Sequence, residues 1–316
     1  MIAIGIDVGG TSIKGAAITD EGKRFDTFSL PVIKGEKPEV TINKLINIVK
    51  QYIADNDLNG KIVGVGLGIP GVVDIKKGIV CSCSNLKWEN IPLVELMEKE
   101  LNIPVRITND ANAAALGESV FGVARGTKIS VMITLGTGVG GGIIVDGKLF
   151  EGNEGKGAEL GHMIINVDGY PCGCGRKGCF EQYASASALI RDTKIAMDNN
   201  PNSLMHNIAS ELGIIDGRVA FKAARSGDEA AQKVVDQYIK YLSEGLLNIC
   251  NIFRPEVIVL SGGIANEGDY LFDRVNSYLK NQNYGYLGSA TPAVKVIPAK
   301  LGYDSGKIGA AALFFE

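Results

Sequence analysis

The sequence predicts an α/β protein of two homologous domains that face one another across a cleft. Strand-like apolar segments alternate with segments whose apolar residues recur at helical spacing. A pattern of strand, glycine turn and strand also occurs twice: IAIGID, VGGTS and IKGAAITDEGK open the chain, and KISVMIT, LGTGVGGG and IIVDGKLF follow in its middle. A repeat of such long period indicates two related domains and not a solenoid.

The N-terminal half contains the first copy of this pattern. After the opening hairpin we predict a third strand around RFDTFSL, a helix over about 37–55 and a buried strand at KIVGVGLGI. Two further helices are predicted over 92–101 and 110–120, with the short strand PVRITN between them. We assign 1–118 to a smaller N-terminal α/β domain, which a C-terminal helix at about 303–316 joins.

The second half is assigned to a larger C-terminal α/β domain, 119–302. After the second glycine turn comes a cysteine-rich loop, then a mostly helical region from about 185 to 251. The strand EVIVL with its SGGI turn and a final helix complete the chain. No low-complexity linker separates the halves, so the boundaries are approximate.

Composition excludes several classes of protein. With 316 residues, 46% of them hydrophobic, the chain suits two packed domains. A net charge of −3 argues against nucleic acid as a ligand, because phosphate binders cluster Lys and Arg. We find no signal peptide and no apolar run long enough to cross a membrane. Six cysteines without an export signal suit reduced thiols or metal ligands, so we expect a cytoplasmic protein.

Three loops combine glycine with a small hydroxyl residue or an acid. They are 7–11 (DVGGT), 136–142 (GTGVGGG) and 261–264 (SGGI), and each follows a strand rich in β-branched residues. Glycine permits backbone angles that turn successive N–H groups inward, so such loops can cradle phosphate oxygens. Any one of them could equally be a tight hairpin turn, but three together favour a nucleotide site.

One histidine and three cysteines are concentrated in the loop 162–179. His162, Cys172, Cys174 and Cys179 offer one imidazole and three thiolates, a set that suits a tetrahedral zinc ion. Four protein ligands leave no open coordination position, so we predict a structural zinc. The alternatives are incidental buried cysteines and a zinc ribbon that binds nucleic acid, and the acidic chain disfavours the ribbon.

These motifs resemble those of the ROK (repressor, open reading frame, kinase) family, in particular its bacterial glucokinases. The resemblance covers the whole chain and rests on DVGGT, GIPG, SNLKW, TNDANAAALGE, LGTGVGGG, GAELGH, CGCGRKGC, SGGI and LGYDSGKIGAA. The last motif departs at Ser305, where alanine is common. The family implies ribonuclease H-like domains of the actin, hexokinase and sugar-kinase superfamily. It also implies transfer of the ATP γ-phosphoryl group to the 6-hydroxyl of a hexose, with glucose favoured.

The resemblance also implies roles for individual residues. Asp110, at a predicted strand-to-helix junction, is the candidate general base, although an Asp there could instead cap the helix. Glu159, His162 and Glu181 would meet the hydroxyls near the anomeric end of the sugar. Asn85 and Asn109 would hold the end that is phosphorylated, and Gly71 would let the backbone approach the ring. ATP and magnesium binding are assigned to Asp7, Gly9, Gly10, Thr11, Lys14, Gly136, Thr137, Gly138, Gly262 and Gly263.

Other readings of the same chain remain open. The hexose could be fructose, mannose, allose or N-acetylmannosamine, because recognition of hydroxyl groups depends on pocket geometry. A non-catalytic sugar sensor is the second class, although repressors of this family carry a helix-turn-helix domain ahead of the first strand, which here begins at about Ile2. A phosphotransferase acting on acetate or glycerol leaves the zinc loop unexplained. The family suggests a homodimer or homotetramer.

Overall fold

The computed structural model describes residues 1–282 and 293–315, which form two compact units. The first contains Met1–Lys128, Gly142–Ala158 and the chain from Lys300 on, and the second contains Ile129–Gly141 and Glu159–Ala299. The segments 119–128 and 142–158 therefore lie in the first unit, although the sequence predicts both in the C-terminal domain. The chain from Lys300 on belongs with the N-terminal residues in the same unit.

Thirteen strands and ten helices are found in the described part of the chain. The strands are β1 (Ile2–Val8), β2 (Ser12–Thr19), β3 (Phe28–Pro31), β4 (Ile62–Ile69), β5 (Val72–Asp74), β6 (Ile79–Cys83), β7 (Trp88–Ile91), β8 (Val105–Asn109), β9 (Ile129–Leu135), β10 (Val139–Val145), β11 (Lys148–Leu149), β12 (Val257–Ser261) and β13 (Lys295–Pro298). The helices are α1 (Pro38–Asp55), α2 (Leu93–Leu101), α3 (Asp110–Val120), α4 (Glu181–Ala184), α5 (Ala186–Asn199), α6 (Leu204–Leu212), α7 (Gly217–Arg225), α8 (Glu229–Phe253), α9 (Asp269–Gln282) and α10 (Ser305–Ala312).

The first unit is built on a five-stranded sheet of order β3-β2-β1-β4-β8. The antiparallel strands β3, β2 and β1 form one side of it, with β3 at the edge, and β1, β4 and β8 run parallel. Helix α1 packs its apolar stripe, which includes Leu45 and Val49, into the core beneath this sheet. On β1 and β4, Gly5 and Gly66 leave room for the backbone of α10, because a Cβ at either glycine would overlap a carbonyl oxygen of that helix.

The second unit has parallel strands at its centre and helices around them. Strand β12 pairs in parallel with both β9 and β13. The long helix α8 buries one face, and Gly245 on that face admits the ring of Phe180, which is fully buried. Tyr238 of the same helix donates a hydrogen bond of 2.7 Å to the carbonyl of Ala184 at the end of α4. Parallel strands with helical connections are the arrangement that the alternating sequence pattern predicts.

Among the described residues, no helix is both long enough and apolar enough to cross a membrane.

Candidate active site and metal centre

In the first unit, the end of β8 and the start of α3 hold Asn109 and Asp110. Asn109 is the N-cap of α3, and its side-chain oxygen accepts hydrogen bonds from the N–H groups of Ala111 (2.9 Å) and Asn112 (3.4 Å). Asp110 is the first residue of the helix, and its carboxylate accepts from the N–H of Ala111, also at 2.9 Å. The capping role, which was the alternative for Asp110, therefore belongs mainly to Asn109.

The surroundings of Asp110 raise the pKa of its carboxyl group and of a second carboxyl group nearby. Burial raises the pKa of Asp110 above its usual value of 3.8. Asp7, at the end of the parallel strand β1, has its pKa raised to about 6, first by burial and then by the negative charge of Asp110. The positive charges of Lys307 and Lys14 act in the opposite direction on Asp7. Two carboxylates thus share one poorly solvated region, which is typical of a site that receives a cation or a proton.

The glycine loop after β1 lies beside Asn85 in the same unit. The N–H of Gly9 donates to the carbonyl of Ser12 at 3.0 Å and closes a tight turn. A Cβ on Gly10 would lie 3.5 Å from the side-chain nitrogen of Asn85, so the loop and this amide are in direct contact. Thr11 is exposed at the tip of the turn, and Lys14 pairs with Asp7 across the hairpin.

Gly71 connects this region to Asn109. Its φ of +112° is a conformation that other residues rarely adopt, and its carbonyl accepts a hydrogen bond of 3.1 Å from the side chain of Asn109. A Cβ at Gly71 would overlap the carbonyl of Ser82 on β6. The first unit therefore brings the predicted site residues together in three groups. Asp7 and Asp110 form a carboxylate pair near Lys14. Gly10 lies against Asn85, and Gly71 is hydrogen-bonded to Asn109.

In the second unit, the glycine loop 136–138 lies against Glu181. The N–H of Gly136 donates to the carbonyl of Gly138 (3.1 Å), and a Cβ on Gly138 would come within 2.7 Å of the Glu181 carboxylate. Thr137 between them is exposed. Gly262 turns at φ +93° and packs so closely on Leu135 that a Cβ would overlap its carbonyl, while Gly263 begins the following 3-10 turn. Both glycine turns of this unit therefore lie at the end of β9.

The predicted zinc ligands converge on one point of the second unit. The ligand atoms of His162, Cys172, Cys174 and Cys179 all lie within 4.8 Å of one another. Nδ1 of His162 faces the Cys172 sulfur at 3.6 Å, and the sulfur atoms of Cys174 and Cys179 are also 3.6 Å apart. The Cys172 thiol donates to Glu181 at 3.0 Å, so the predicted metal ligands and a predicted sugar ligand are direct neighbours.

Backbone hydrogen bonds shape the cysteine loop. The N–H of Cys172 bonds the carbonyl of Arg176 (2.8 Å), and the N–H of Gly175 bonds the carbonyl of Cys172 (3.0 Å), which folds the segment into a tight knuckle. Gly175 and Gly178 adopt φ of +87° and +74°. At Gly178 a side chain would also overlap the Asn166 carbonyl, so only glycine is accommodated there.

This donor set fits one zinc ion. Sulfur ligands at about 2.3 Å from zinc lie roughly 3.8 Å apart in a tetrahedron, close to the spacing of the four groups. Burial raises the pKa of the Cys172 thiol to about 12, so a thiolate at this position requires a cation beside it. His162 also links the cluster to Glu159, because the N–H of His162 donates to the carbonyl of Glu159 at 3.0 Å.

Sequence reasoning missed one charged group near Asp7. Lys307 on α10 is almost fully buried, with 7% of its surface exposed, and its Nζ pairs with Asp304 at 2.6 Å. The neighbouring Gly306 packs on Asp7, because a Cβ there would lie 3.0 Å from the carboxyl carbon. Lys307 is part of the terminal motif LGYDSGKIGAA. The small residues around it in the sequence do not indicate which group it lies near in the fold.

Comparison with known proteins gives consistent matches over the full chain. A model of the ROK family matches residues 3–316. The glucokinase of Streptomyces coelicolor is 35% identical over 318 residues, which cover 100% of this chain and 98% of that protein. The xylose repressor of Bacillus spizizenii is 30% identical over 322 residues, 99% of this chain and 77% of the repressor.

A solved structure supports the same assignment. The ROK family glucokinase from Streptomyces griseus, in complex with glucose and AMPPNP, aligns with a TM-score of 0.79 at 33% identity over 99% of each chain. The predicted two-domain α/β fold of the actin, hexokinase and sugar-kinase superfamily is thereby confirmed. The chain belongs to the ROK family.

Proposed function

We propose that this sugar kinase transfers the γ-phosphoryl group of ATP to the 6-hydroxyl of glucose, with Asp110 as the general base. The observation that carries the proposal is that the carboxylate of Asp110 is not the main cap of its helix. Asp110 is the first residue of α3, and the N-cap of that helix is Asn109. Burial raises its pKa, which makes it a better proton acceptor than an ordinary carboxylate once it is ionised.

The other residues of the first unit serve the phosphates and the reacting hydroxyl. Asp7 would hold magnesium through water, and Mg²⁺ bound with ATP neutralises charge on the phosphate oxygens. The turn at Gly9, Gly10 and Thr11 offers backbone and hydroxyl donors, and Lys14 adds a positive charge. Asn85 and Asn109 would bond the sugar near its 6-hydroxyl, and Gly71 lets the backbone approach the ring.

The second unit would bind the rest of the sugar and the nucleotide. Glu159, His162 and Glu181 are assigned to hydroxyls near the anomeric carbon. A zinc ion held by His162 and the three cysteines would supply structural cross-linking of the loop. With Nδ1 facing the sulfur atoms, Nε2 of His162 is the nitrogen assigned to a hydroxyl. The glycine turns at 136–138 and 262–263 are assigned to ATP.

The mechanism is tested by replacing the base. Asp110→Asn removes the proton acceptor and keeps the shape of the side chain, so kcat should fall by about a thousandfold or more. Circular dichroism and zinc content serve as controls and should match the wild type. A variant with the wild-type kcat would exclude Asp110 as the base.

A second candidate function is a sugar-responsive regulator without catalysis. The 30% identity to a xylose repressor over 99% of this chain favours it. A coupled assay of ADP release with glucose, fructose, mannose, allose, N-acetylmannosamine and xylose separates the two functions. Turnover with glucose above the other sugars supports the glucokinase assignment, and binding of a sugar without ADP release supports the regulator.

A further inference from the structure

A surface groove lies in the second unit between α5 and α8, and none of the residues assigned to the reaction lines it. Its volume is about 470 Å³, within the range of small-molecule sites. One wall is formed by Glu229, Lys233 and Gln237 of α8. Ile195 of α5 and Val234 provide apolar surface, and Tyr170 of the cysteine loop lies at the groove as well.

The polar wall of the groove consists of three groups that have no partner. Over 1–282 and 293–315, the side chains of Glu229, Lys233 and Gln237 have no hydrogen bond or ion pair. A carboxylate only accepts, an ammonium group only donates, and an amide does both. Hydroxyl groups satisfy all three, since each can donate and accept. The charges of Glu229 and Lys233 cancel, and the third charged residue that lines the groove, Asp192, is paired with Arg191, so the groove favours a neutral ligand over a phosphate.

The rest of the groove suits the less polar face of a sugar ring. Ile195 is 46% exposed and Tyr170 is 42% exposed, which are large fractions for apolar and aromatic side chains. The guanidinium of Arg191 covers one face of the Tyr170 ring at 3.7 Å, so the rest of that ring is the part open to a ligand. Ring C–H groups of a pyranose pack on aliphatic and aromatic surface, while its hydroxyls point to polar groups at the edge. The groove offers apolar surface and a polar wall side by side.

The length of the polar wall indicates more than one sugar ring. Glu229 and Gln237 are eight residues apart on a helix, which corresponds to about 12 Å along its axis. Two linked pyranose rings span such a distance and a single ring does not. We propose that the groove between α5 and α8 is a second carbohydrate site, which binds a neutral disaccharide.

Tyr170 connects this groove to the cysteine loop. Its carbonyl accepts a hydrogen bond of 2.8 Å from the N–H of Gly178, the residue before Cys179. Its N–H donates to the hydroxyl of Tyr183 at 3.0 Å, and Tyr183 belongs to α4, which begins at Glu181. A disaccharide packed on Tyr170 therefore restrains the segment that carries the metal ligands and the sugar ligand Glu181.

Calorimetric titration of the whole protein with maltose and with sucrose tests the site. Saturating glucose is present throughout, so that the acceptor site is occupied. The wild type should bind one of the two disaccharides. Lys233→Met removes a charged donor and should weaken binding by about tenfold or more. Ala230→Phe, which fills the groove, should abolish it. The matched control is Lys240→Met, an exposed lysine of the same helix outside the groove, which should bind as the wild type does.

Two outcomes overturn the proposal: no binding of either disaccharide by the wild type, or equal affinity in Lys233→Met, Ala230→Phe and Lys240→Met. Amide hydrogen exchange gives a second measurement. Bound disaccharide should slow exchange at the N–H groups of Tyr170 and Gly178, and unchanged exchange contradicts the coupling to the loop. Glucose turnover without disaccharide is measured separately, so a failure of the glucokinase assignment leaves the groove test intact.

Discussion

Asp7 carries a charge that weakens the fold. Its pKa is raised to about 6 in the folded protein, against 3.8 as its ordinary value. Since the folded state binds the proton more tightly, stability is greatest below pH 4 as far as this group is concerned. It declines as the pH rises to about 6 and stays at the lower value above that. The carboxylate for which we propose a role in magnesium binding is thus held at a cost to stability.

We predict that Asp7→Asn stabilises the protein at neutral pH while it impairs catalysis. The shift in pKa corresponds to about 3 kcal/mol at most, because an asparagine never ionises. Urea unfolding without magnesium should show the gain at pH 7.5 and a smaller gain at pH 5. The control Asp198→Asn changes an exposed carboxylate on α5 and should have little effect. A gain that is equal at both pH values would contradict the burial argument.

Asp110 leads to a prediction about the pH dependence of the reaction. Only the ionised form accepts a proton, and burial raises the pKa of this carboxyl. The acid limb of kcat/KM should therefore lie at a higher pH than the value of about 3.9 for an ordinary aspartate. Rates measured in overlapping buffers from pH 3.5 to 9 check this. An acid limb at or below about pH 3.9 would show that the pKa of Asp110 is not raised in the free enzyme.

At this scale the sequence identifies candidates but not their partners. The junction TND places Asn109 and Asp110 correctly at the end of β8 and start of α3, and the four metal-ligand candidates do converge. The direction of the side chains decides which of these two residues mainly caps the helix. The spacing of residues in the sequence does not show that direction. Lys307 was missed because its relation to Asp7 arises from the packing of α10 on β1.

Among the elements, the contact between α3 and α10 is especially close. A Cβ on Gly309 would overlap the carbonyl of Ala113, and one on Gly117 would come within 2.7 Å of the carbonyl of Ser305. The two helices therefore meet backbone to backbone at glycines. This contact fixes the position of α3, whose first residue is Asp110.

We predict that Gly309→Ala destabilises the protein by about 3 kcal/mol, although alanine favours helix formation more than glycine. The added methyl group has no flexible neighbour to displace, so α10 must move away from α3. Urea unfolding measures the loss, and Asp273→Glu, which adds a methylene group on the exposed face of α9, is the control. A variant at least as stable as the wild type would show that the helices can separate without loss.

The long periodic elements were predictable and several short ones were not. The predictions for α1, α2 and α3 agree with the observed helices within one or two residues. The three-stranded sheet β5-β6-β7 was missed, because its strands have only three to five residues and include polar positions between turns. Strand β13 and helix α9 were also missed. Strand β13 has only four residues, whereas α9 does carry a helical period that could have indicated it, since its buried residues are Leu271, Phe272, Val275 and Leu279.

For the whole molecule, the internal repeat predicted two related units, but it could not show where the chain passes from one to the other. The second unit's β9 is followed by β10, whose residues from Gly142 on belong to the first unit with β11. A boundary between units in the middle of a strand cannot be recognised from composition, because the residues on both sides of it have the pattern of a buried strand. The predicted C-terminal helix at about 303–316 corresponds to α10, and the chain from Lys300 on belongs to the first unit.

The metal-ligand candidates lie in the second unit and Trp88 lies in the first, so the effects of metal loss on the two units can be measured separately. Cys174 is the exposed ligand of the cluster, and a structural zinc contributes roughly 10 kcal/mol to the folding of its loop. Cys174→Ala should lose zinc and raise KM for glucose more than KM for ATP, because Glu159, His162 and Glu181 depend on that loop. The single tryptophan, Trp88, is buried in the first unit, so its emission should not change while that unit stays folded.

Cys81→Ala, outside the cluster, is the control for this experiment and should keep the wild-type zinc content and both KM values. Equal increases in both KM values for Cys174→Ala would mean that the metal supports the second unit as a whole. The glycine turns at the end of β9, which we propose to bind ATP, belong to that unit too. A shift of Trp88 emission would mean that loss of the metal also unfolds the first unit. An increase confined to the KM for glucose, with Trp88 emission unchanged, places the effect in the loop 162–179 and the proposed sugar-binding residues in or beside it.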